Sequence, residues 1–179
     1  MTVDRYLMDT PDKGDGSLTG YNVWKWIDYD NYNYPYAGAG SPDFSTNWII
    51  LRYAEIYLND AEARLETGDV EGARKAVNMI RQRVGLPDLT ESDPEKLREL
   101  IRKERRIEFA FEEQRFYDVR RWKIGPETQT TLHGVRFVSP TEFKVTKTDI
   151  RTWNDRLYLT PVPHDEIVRS SVLKQNPGY

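Results

Sequence analysis

The stretch that most constrains the fold runs from Leu97 to Trp122, LRELIRKERRIEFAFEEQRFYDVRRW. When it is placed on a helix of 3.6 residues per turn, Glu104 and Glu108 fall in the middle of an apolar stripe. The apolar members of that stripe are Leu97, Leu100, Ile101, Ile107 and Phe111. A carboxylate on a buried face is costly unless it is paired and hydrogen-bonded. We therefore predict a helix that buries a glutamate–arginine network and pins neighbouring segments together.

Arginines in the same stretch are the expected partners of these two glutamates. The planar guanidinium group can hold a carboxylate at two points, which suits arginine to this role. The candidates are Arg102, Arg105, Arg106, Arg115, Arg120 and Arg121. A new apolar register begins at Phe116, Val119 and Trp122, so the helix is expected to break and restart around Glu112–Gln114.

A helix is predicted from Trp48 to Thr67, capped by Thr46 or Asn47 and nearly surrounded by other elements. Its polar stripe is interpreted as a solvated face, with an acidic docking surface as the alternative. That stripe consists of Arg52, Glu55, Asn59, Glu62 and Glu66. Arg52 and Glu62 are also candidate members of the glutamate–arginine network.

Gly68 and Asp69 predict the turn of a helical hairpin, with Gly68 ending one helix and Asp69 capping the next. The second helix has an apolar stripe opposite three polar residues, Arg74, Asn78 and Arg81. The stripe consists of Val70, Ala73, Val77, Ile80 and Val84. The segment Gly85-Leu86-Pro87 should end this helix, and Ser92 or Asp93, followed by Pro94, should begin the third.

The segment from Lys123 to Asp155 predicts little helix. Val135–Val138 and Phe143–Val145, separated by Ser139-Pro140, are expected to form a short hairpin. Leu157–Tyr179 contains three prolines and should form an extended tail with Tyr158 and Leu159 as anchors. A second place for ligand contact is predicted near the hairpin, although Trp153 has packing as its alternative role. Its candidates are Lys144, Lys147, Arg151, Trp153 and Asn154.

Aromatic residues are concentrated in Tyr21–Tyr36, YNVWKWIDYDNYNYPY, and predict a sugar-binding platform. Aromatic faces stack on the apolar faces of pyranose rings, and the interspersed Asn and Asp can hydrogen-bond to hydroxyls. The alternative is that Trp24 and Trp26 simply pack this segment onto the helices. The candidate carbohydrate-binding residues are Trp24, Trp26, Tyr29, Tyr32, Tyr34 and Tyr36.

Composition and motifs exclude several classes of protein. The 179 residues carry a net charge of −3, which gives no basic excess for nucleic acid. There is no cysteine, and the histidines, His133 and His164, are isolated, so no metal site and no cofactor are expected. No phosphate loop, nucleophile elbow or HExxH motif occurs. The polar N-terminal residues do not form a signal peptide.

Three motifs in order give the chain a resemblance to the SusD/RagB family of outer-membrane nutrient-binding lipoproteins. They are ILRYAEIYLNDAE at Ile50–Glu62, ERRIEFAFEEQRFYDVRRW at Glu104–Trp122, and YLTPVPHDEI at Tyr158–Ile167 followed by QNPGY at Gln175–Tyr179. The resemblance implies a mostly α fold, with a tetratricopeptide-like helix hairpin packed on a third long helix. Irregular loops and minor β structure are expected in the N- and C-terminal parts.

The resemblance also implies one C-terminal domain of a longer lipid-anchored precursor. Within it we expect an aromatic loop region at 1–46, a helical core at 47–122 and an irregular, partly β tail at 123–179. The motif residues are assigned to structure and not to ligand contact. They are Arg52, Glu62, Glu104, Arg105, Glu108, Arg115, Asp118 and Arg121.

The resemblance implies non-catalytic binding of oligosaccharide or polysaccharide at the outer face of the outer membrane of a Bacteroidetes-type bacterium. The sugar would pass to a SusC-like TonB-dependent transporter, and the membrane would be reached only through a lipid anchor. One alternative is an interaction scaffold that docks on the transporter while the sugar site lies elsewhere in the precursor. The other is a weak glycosidase using Glu104 and Glu108, which nearby arginines disfavour because an acid catalyst needs a raised pKa.

Overall fold

The computed structural model describes Lys25, residues 47–139 and residues 142–179. The chain forms two compact units. One comprises Lys25–Arg115, and the described residues of the other are 116–179. The described chain is mostly helical with a small antiparallel sheet, as the sequence predicts.

The first unit is built on a helix hairpin that packs against a third helix. Its helices are α1 (Tyr53–Glu66), α2 (Val70–Arg83) and α3 (Pro94–Glu108). Helix α4 (Gln114–Arg121) follows after a turn. Small side chains at the hairpin interface let α1 and α2 approach closely. The core consists of Ala54, Leu58, Ala61, Leu65, Ala73, Ala76, Val77, Ile80, Leu97, Ile101 and Phe109.

The predicted helix punctuation is confirmed at each junction. Gly68 has a φ of +87°, and the Asp69 carboxylate caps α2 by accepting a 2.9 Å hydrogen bond from the Gly72 amide. Gly85 has a φ of +72° beyond the end of α2. Asp93 caps α3 by accepting from the Lys96 amide at 2.9 Å.

Helix α1 begins five residues later than predicted, at Tyr53 instead of Trp48. Arg52 is extended, with φ −145° and ψ 159°, and it provides no side-chain cap. Its guanidinium group reaches away to carboxylates beyond the end of α3, so the backbone here follows the side chain's anchor and not helix propensity. The prediction of a nearly surrounded helix is also wrong within the described chain, because Tyr53 is 70% and Ile56 50% exposed.

The polar stripe of α1 is a seam between helices and not the solvated face that we expected. The Glu55 carboxylate accepts a hydrogen bond from Gln114 at 3.2 Å. Asn59 Oδ1 accepts from Arg105 at 2.7 Å, and Glu66 accepts from Arg98 at 2.8 Å. The periodicity located this stripe correctly but could not show that α3 and α4 supply its partners.

The polar residues of α2 hold the connection to α3. The Asn78 side-chain amide donates to the Leu89 carbonyl at 3.1 Å and accepts from the Leu89 amide at 2.8 Å. One turn later, Arg81 Nε donates to the Pro87 carbonyl at 2.8 Å. Asn78 is buried, although its position opposite the apolar stripe indicated an exposed residue. The loop therefore gains backbone hydrogen-bond partners that no regular structure supplies.

The break between α3 and α4 is confirmed and changes which aromatic residue is buried. Helix α3 ends at Glu108, and Phe111 and Glu113 both have a φ of 63°. Phe109 is 3% exposed and Phe111 55%, so the prediction of a buried Phe111 is wrong. Ile107 is 62% exposed because it lies about 100° around the helix from the Glu104–Glu108 stripe.

The second unit contains the predicted hairpin in a longer form. Strands β1 (Thr131–Ser139) and β2 (Glu142–Ile150) pair antiparallel with Val135 opposite Val145. Short helical segments flank the hairpin in the chain. They are α5 (Gly125–Thr128), a 3₁₀ turn at Asp155–Tyr158 and α6 (His164–Arg169).

The C-terminal tail is less extended than predicted because α6 interrupts it. Its closing residues are fixed by hydrogen bonds between side chains and backbone. The Gln175 amide donates to the Val162 carbonyl at 2.9 Å and accepts from the Val162 amide at 2.8 Å. The Tyr179 hydroxyl donates to the Leu159 carbonyl at 3.0 Å. The Leu159 side chain is itself exposed, so its predicted role as an apolar anchor is wrong.

Trp153 is a packing residue held between Gly125 and Tyr158. Its ring centroid lies 5.0 Å from that of Tyr158, and a Cβ atom added at Gly125 would overlap its indole ring. The Gly125 amide also donates to the Tyr158 hydroxyl at 3.3 Å. Gly125 is therefore required by close approach of an aromatic ring.

The substitution Gly125→Ala should destabilise the chain by about 1–3 kcal/mol, because the added methyl group forces Trp153 out of place. Urea unfolding monitored by tryptophan fluorescence measures the change. Glu127→Ala, at an exposed position of the same helix α5, is the matched control and should unfold like the parent. Equal stability of the Gly125→Ala variant and the parent would contradict this packing.

Candidate functional site

The predicted sugar platform lies outside the described residues. This applies to all six of its candidates, Trp24, Trp26, Tyr29, Tyr32, Tyr34 and Tyr36. Lys25, which is bonded to both Trp24 and Trp26, is described. The contacts of Lys25 are therefore the direct structural information on where this segment attaches to the helices.

Lys25 binds the C-terminal end of α3. Its Nζ donates to the Glu108 carbonyl at 2.9 Å and to the Ala110 carbonyl at 3.3 Å, and it forms an ion pair with Glu112. The last carbonyls of a helix have no partners within the helix, and they carry partial negative charge. A cation at this position satisfies both requirements.

Arg52 binds the same helix end from the start of α1. Its Nε and Nη2 donate to the two oxygens of Glu112 at 2.7 and 3.0 Å, which is a bidentate arrangement. Its Nη2 also donates to the Glu108 carbonyl at 2.8 Å, and its Nη1 pairs with the Glu108 carboxylate. Arg52 thus joins two helices through two carboxylates and one backbone group.

Arg83, at the end of α2, completes the arrangement by donating to both oxygens of Glu108 at 2.7 and 2.9 Å. We call these five residues the α3-end cluster: Lys25, Arg52, Arg83, Glu108 and Glu112. Three cations surround two carboxylates at the end of one helix. The cluster therefore connects α1, α2, α3 and the segment that contains Lys25.

Phe109 underlies the cluster and shields it from water. Its ring centroid lies 4.6 Å from Cζ of Arg52 and 5.2 Å from Cζ of Arg105. Guanidinium groups at these distances interact favourably with the ring face. With Phe109 buried, the charges lie against a low-dielectric surface, where pairing is stronger than in bulk water.

The electrostatics of the cluster favour its ionised form. Burial acts to raise the pKa of Glu112, but hydrogen bonds from Arg52 and Lys25, together with their charges, outweigh it and lower that pKa. For Arg52, burial acts to lower the pKa, and the hydrogen bonds and charges of Glu112 and Glu108 raise it overall. The pair stays charged throughout the neutral range.

Glu104 and Glu108 are both buried or nearly so and both ion-paired, as predicted. The partners shown for them differ from the expected arginines, however. Arg81 Nη1 donates to Glu104 at 2.7 Å, while Arg52 and Arg83 bind Glu108. These arginines come from α2 and from the residue before α1, because neighbours one or two positions away on a helix do not face each other.

The predicted second ligand region separates into local contacts and exposed lysines. Trp153 packs on Gly125, and Asn154 caps the 3₁₀ turn by accepting from the Arg156 amide at 3.0 Å. Arg151 pairs with Asp149 at 3.4 Å. Lys144 and Lys147 lie exposed on β2. This arrangement assigns the first three to structure.

Two searches of the described residues were negative. No group of three or more His, Cys, Asp or Glu side chains there is arranged to hold a metal ion. Across residues 47–139 and 142–179, no helix has the length and apolar character needed to cross a membrane.

The substitution Glu108→Ala should cost on the order of 3–5 kcal/mol, because it leaves Arg52 and Arg83 without a buried counter-ion. Urea unfolding at neutral pH measures this difference. Glu99→Ala, at an exposed position of α3, is the control and should be close to neutral. A melting temperature of Glu108→Ala near that of the parent would mean that the cluster does not stabilise the fold.

The contribution of Glu112 should depend on pH. Because its folded-state pKa is lowered, its stabilisation is complete above the unfolded-state pKa of about 4.3 and is lost as pH falls through the folded-state value. The difference in unfolding free energy between parent and Glu112→Gln should therefore be constant from about pH 7 to 5 and shrink below about pH 4.

Urea unfolding of both proteins across this pH range tests the prediction, with Glu113→Gln as an exposed neighbouring control. A Glu112→Gln deficit that is as large at low pH as at neutral pH would show that its carboxylate is not the stabilising species.

Comparison with known proteins follows the same motifs. The family model of the SusD family matches residues 5–179. SusD-like protein P2 of Formosa agariphila is 38% identical over 155 residues, covering 80% of this chain and 28% of the relative. SusD-like protein P25 of the same organism is 32% identical over 172 residues, covering 84% of this chain and 31% of the relative.

A solved structure is similar over the whole chain. It is a crystal structure of a SusD-like protein from Bacteroides fragilis, 96% identical to this chain with a TM-score of 0.87, covering 100% of this chain and 34% of that one. The chain thus spans about a third of the length of the proteins it matches. By the match over residues 5–179, together with the three motifs and the helical hairpin, this chain belongs to the SusD family.

Proposed function

We propose that this chain is part of a non-catalytic glycan-binding protein on the outer face of the outer membrane of a Bacteroidetes-type bacterium. The observation that carries the proposal is the match to the SusD family over residues 5–179. The protein would be held by a lipid anchor and would deliver oligosaccharide to a SusC-like TonB-dependent transporter. Binding would need shape and hydrogen bonding but no chemistry and no cofactor.

The proposed glycan contacts are the aromatic residues of Tyr21–Tyr36. Stacking of Trp24, Trp26 and the neighbouring tyrosines on pyranose rings would supply most of the affinity, and Asn and Asp side chains would select hydroxyl positions. The attachment of Lys25 to the α3-end cluster supports this location, since it ties the segment to the most strongly connected part of the first unit.

The positions of the glutamates support binding without catalysis. Glycoside hydrolysis requires one carboxyl group to donate a proton and another to act as base or nucleophile. Glu104 is bound by Arg81, and Glu108 is bound by Arg52 and Arg83. Paired and buried in this way, the carboxylates support the fold and are poorly placed to meet a sugar.

A second candidate function is an interaction scaffold that grips the transporter while the sugar binds elsewhere in a longer protein. The exposed apolar side chains of the helix hairpin favour this candidate. Tyr53, Ile56 and Met79 are all exposed, although a helix hairpin of this kind usually buries such residues against a neighbour. The glycan-binding proposal and the scaffold proposal differ in whether this chain alone binds sugar.

Calorimetric titration of the chain with maltohexaose, cellohexaose and xylohexaose tests the proposal. We expect saturable binding of at least one sugar and about tenfold or greater loss of affinity in Trp26→Ala, because one stacking face is removed. Trp48→Ala is the matched control, since Trp48 is exposed on the helical unit and lies outside the aromatic segment.

Absence of binding by a folded chain would favour the scaffold. Equal losses in Trp26→Ala and Trp48→Ala would move the sugar site away from the aromatic segment. Release of reducing sugar that disappears in a folded Glu104→Gln variant would replace binding by hydrolysis.

A further inference from the structure

We propose that Lys25 is a positioning residue for ligand binding, which holds the aromatic segment in place without itself contacting the glycan. This inference rests on the proposed glycan-binding role of that segment. It comes from the contacts of a single ammonium group with three acceptors at the end of α3. Those acceptors are the carbonyls of Glu108 and Ala110 and the carboxylate of Glu112.

The receiving site for Lys25 exists before Lys25 arrives. Glu112 has a side chain that is 4% exposed, and both of its oxygens are already bound by Arg52. The Glu108 carbonyl is likewise bound by Arg52 Nη2 at 2.8 Å. Arg52 therefore fixes the two groups that Lys25 uses, and Lys25 adds a further segment to a completed structure.

This order separates positioning from stability. Removing Arg52 or Glu112 leaves a buried charge without its partner and weakens the junction of α1 with α3. Removing the charge of Lys25 leaves Glu112 still paired with Arg52, and the Lys25 side chain is itself 34% exposed. Loss of Lys25 should therefore leave the helical unit folded and release only the segment attached to it.

Position matters because Trp24 and Trp26 are bonded directly to Lys25. Consecutive Cα atoms lie about 3.8 Å apart, so a fixed Lys25 also limits where the two tryptophans can lie. Ordering side chains and loops at the moment of binding reduces affinity, and a segment held in advance avoids much of that loss. A tether between two stacking residues is thus a direct way to raise glycan affinity.

The tether is specific in geometry as well as in charge. The ammonium group supplies three donors, which matches the three acceptors at this site. Arginine keeps the charge and several donors, whereas methionine keeps most of the stem but has neither charge nor donor. These two substitutions therefore isolate the function of the ammonium group.

The experiment compares the parent chain with Lys25→Met, Lys25→Arg and Lys103→Met, in which Lys103 is an exposed lysine on α3. Thermal unfolding by circular dichroism should be the same for all four proteins. Affinity for the hexasaccharide that binds the parent should fall about tenfold in Lys25→Met and recover in Lys25→Arg. Lys103→Met should bind like the parent.

Three results would overturn the proposal. They are parent-like affinity in a folded Lys25→Met variant, failure of Lys25→Arg to restore affinity, and unfolding of Lys25→Met, which would make Lys25 a stability residue. A purely structural residue would change the melting temperature together with affinity, whereas a positioning residue changes affinity alone.

A second measurement keeps this test independent of the proposed function. Chymotrypsin cleaves after Trp and Tyr, so mass spectrometry can follow the cleavage rate within residues 21–36 without any sugar. We expect about tenfold faster cleavage in Lys25→Met and a parent-like rate in Lys25→Arg. If no hexasaccharide binds the parent, glycan binding by this chain fails, while unequal cleavage still supports the tether and equal cleavage overturns it.

Discussion

The fold of the helical unit depends on the bidentate contact between Arg52 and Glu112. Glu112 lies just past the end of α3, and Arg52 lies just before the start of α1. One ion pair therefore joins an element beginning to an element ending, which fixes the angle at which the chain enters the hairpin. Glu108 extends the contact to α2 through Arg83, and Lys25 extends it to the aromatic segment. Because the carboxylates are largely shielded from water and Phe109 underlies the cluster, these pairs are far stronger constraints than surface salt bridges.

A related device fixes the irregular parts of the chain. The core of the hairpin contains four alanines, so it is thin, and loops cannot rely on large apolar anchors. Side chains bind loop backbone instead, as Asn78 binds both backbone groups of Leu89 and Arg81 binds the Pro87 carbonyl. Each such contact satisfies a peptide group that would otherwise lack a partner. Polar residues at helical spacing can thus face a loop as readily as they face water.

Local rules predicted the parts of the fold that depend on local chemistry. Helix stops at Gly68 and Gly85, caps at Asp69 and Asp93, and the β1–β2 hairpin all follow from residue types and short spacings. The errors arise where a distant partner overrides local preference. Arg52 leaves the helix to reach Glu112, and Phe109 replaces Phe111 in the core because α3 ends at Glu108. The burial of Glu104 and Glu108 was predictable from the apolar stripe, but their arginine partners were not, since they come from other elements. The aromatic platform stays a prediction.

Gln175 illustrates why a closing motif can require one amide side chain and no other. Its donor and its acceptor bind the carbonyl and the amide of Val162, so the side chain imitates a peptide group of a neighbouring β-strand. Its oxygen also accepts from the Asn176 amide at 2.9 Å, so side chain and backbone close one small ring of hydrogen bonds. Glutamate has the same length but no donor when ionised, and it would face the Val162 carbonyl with like polarity. The last residues of the chain are thus held as a one-residue sheet, with an amide side chain serving as the second strand.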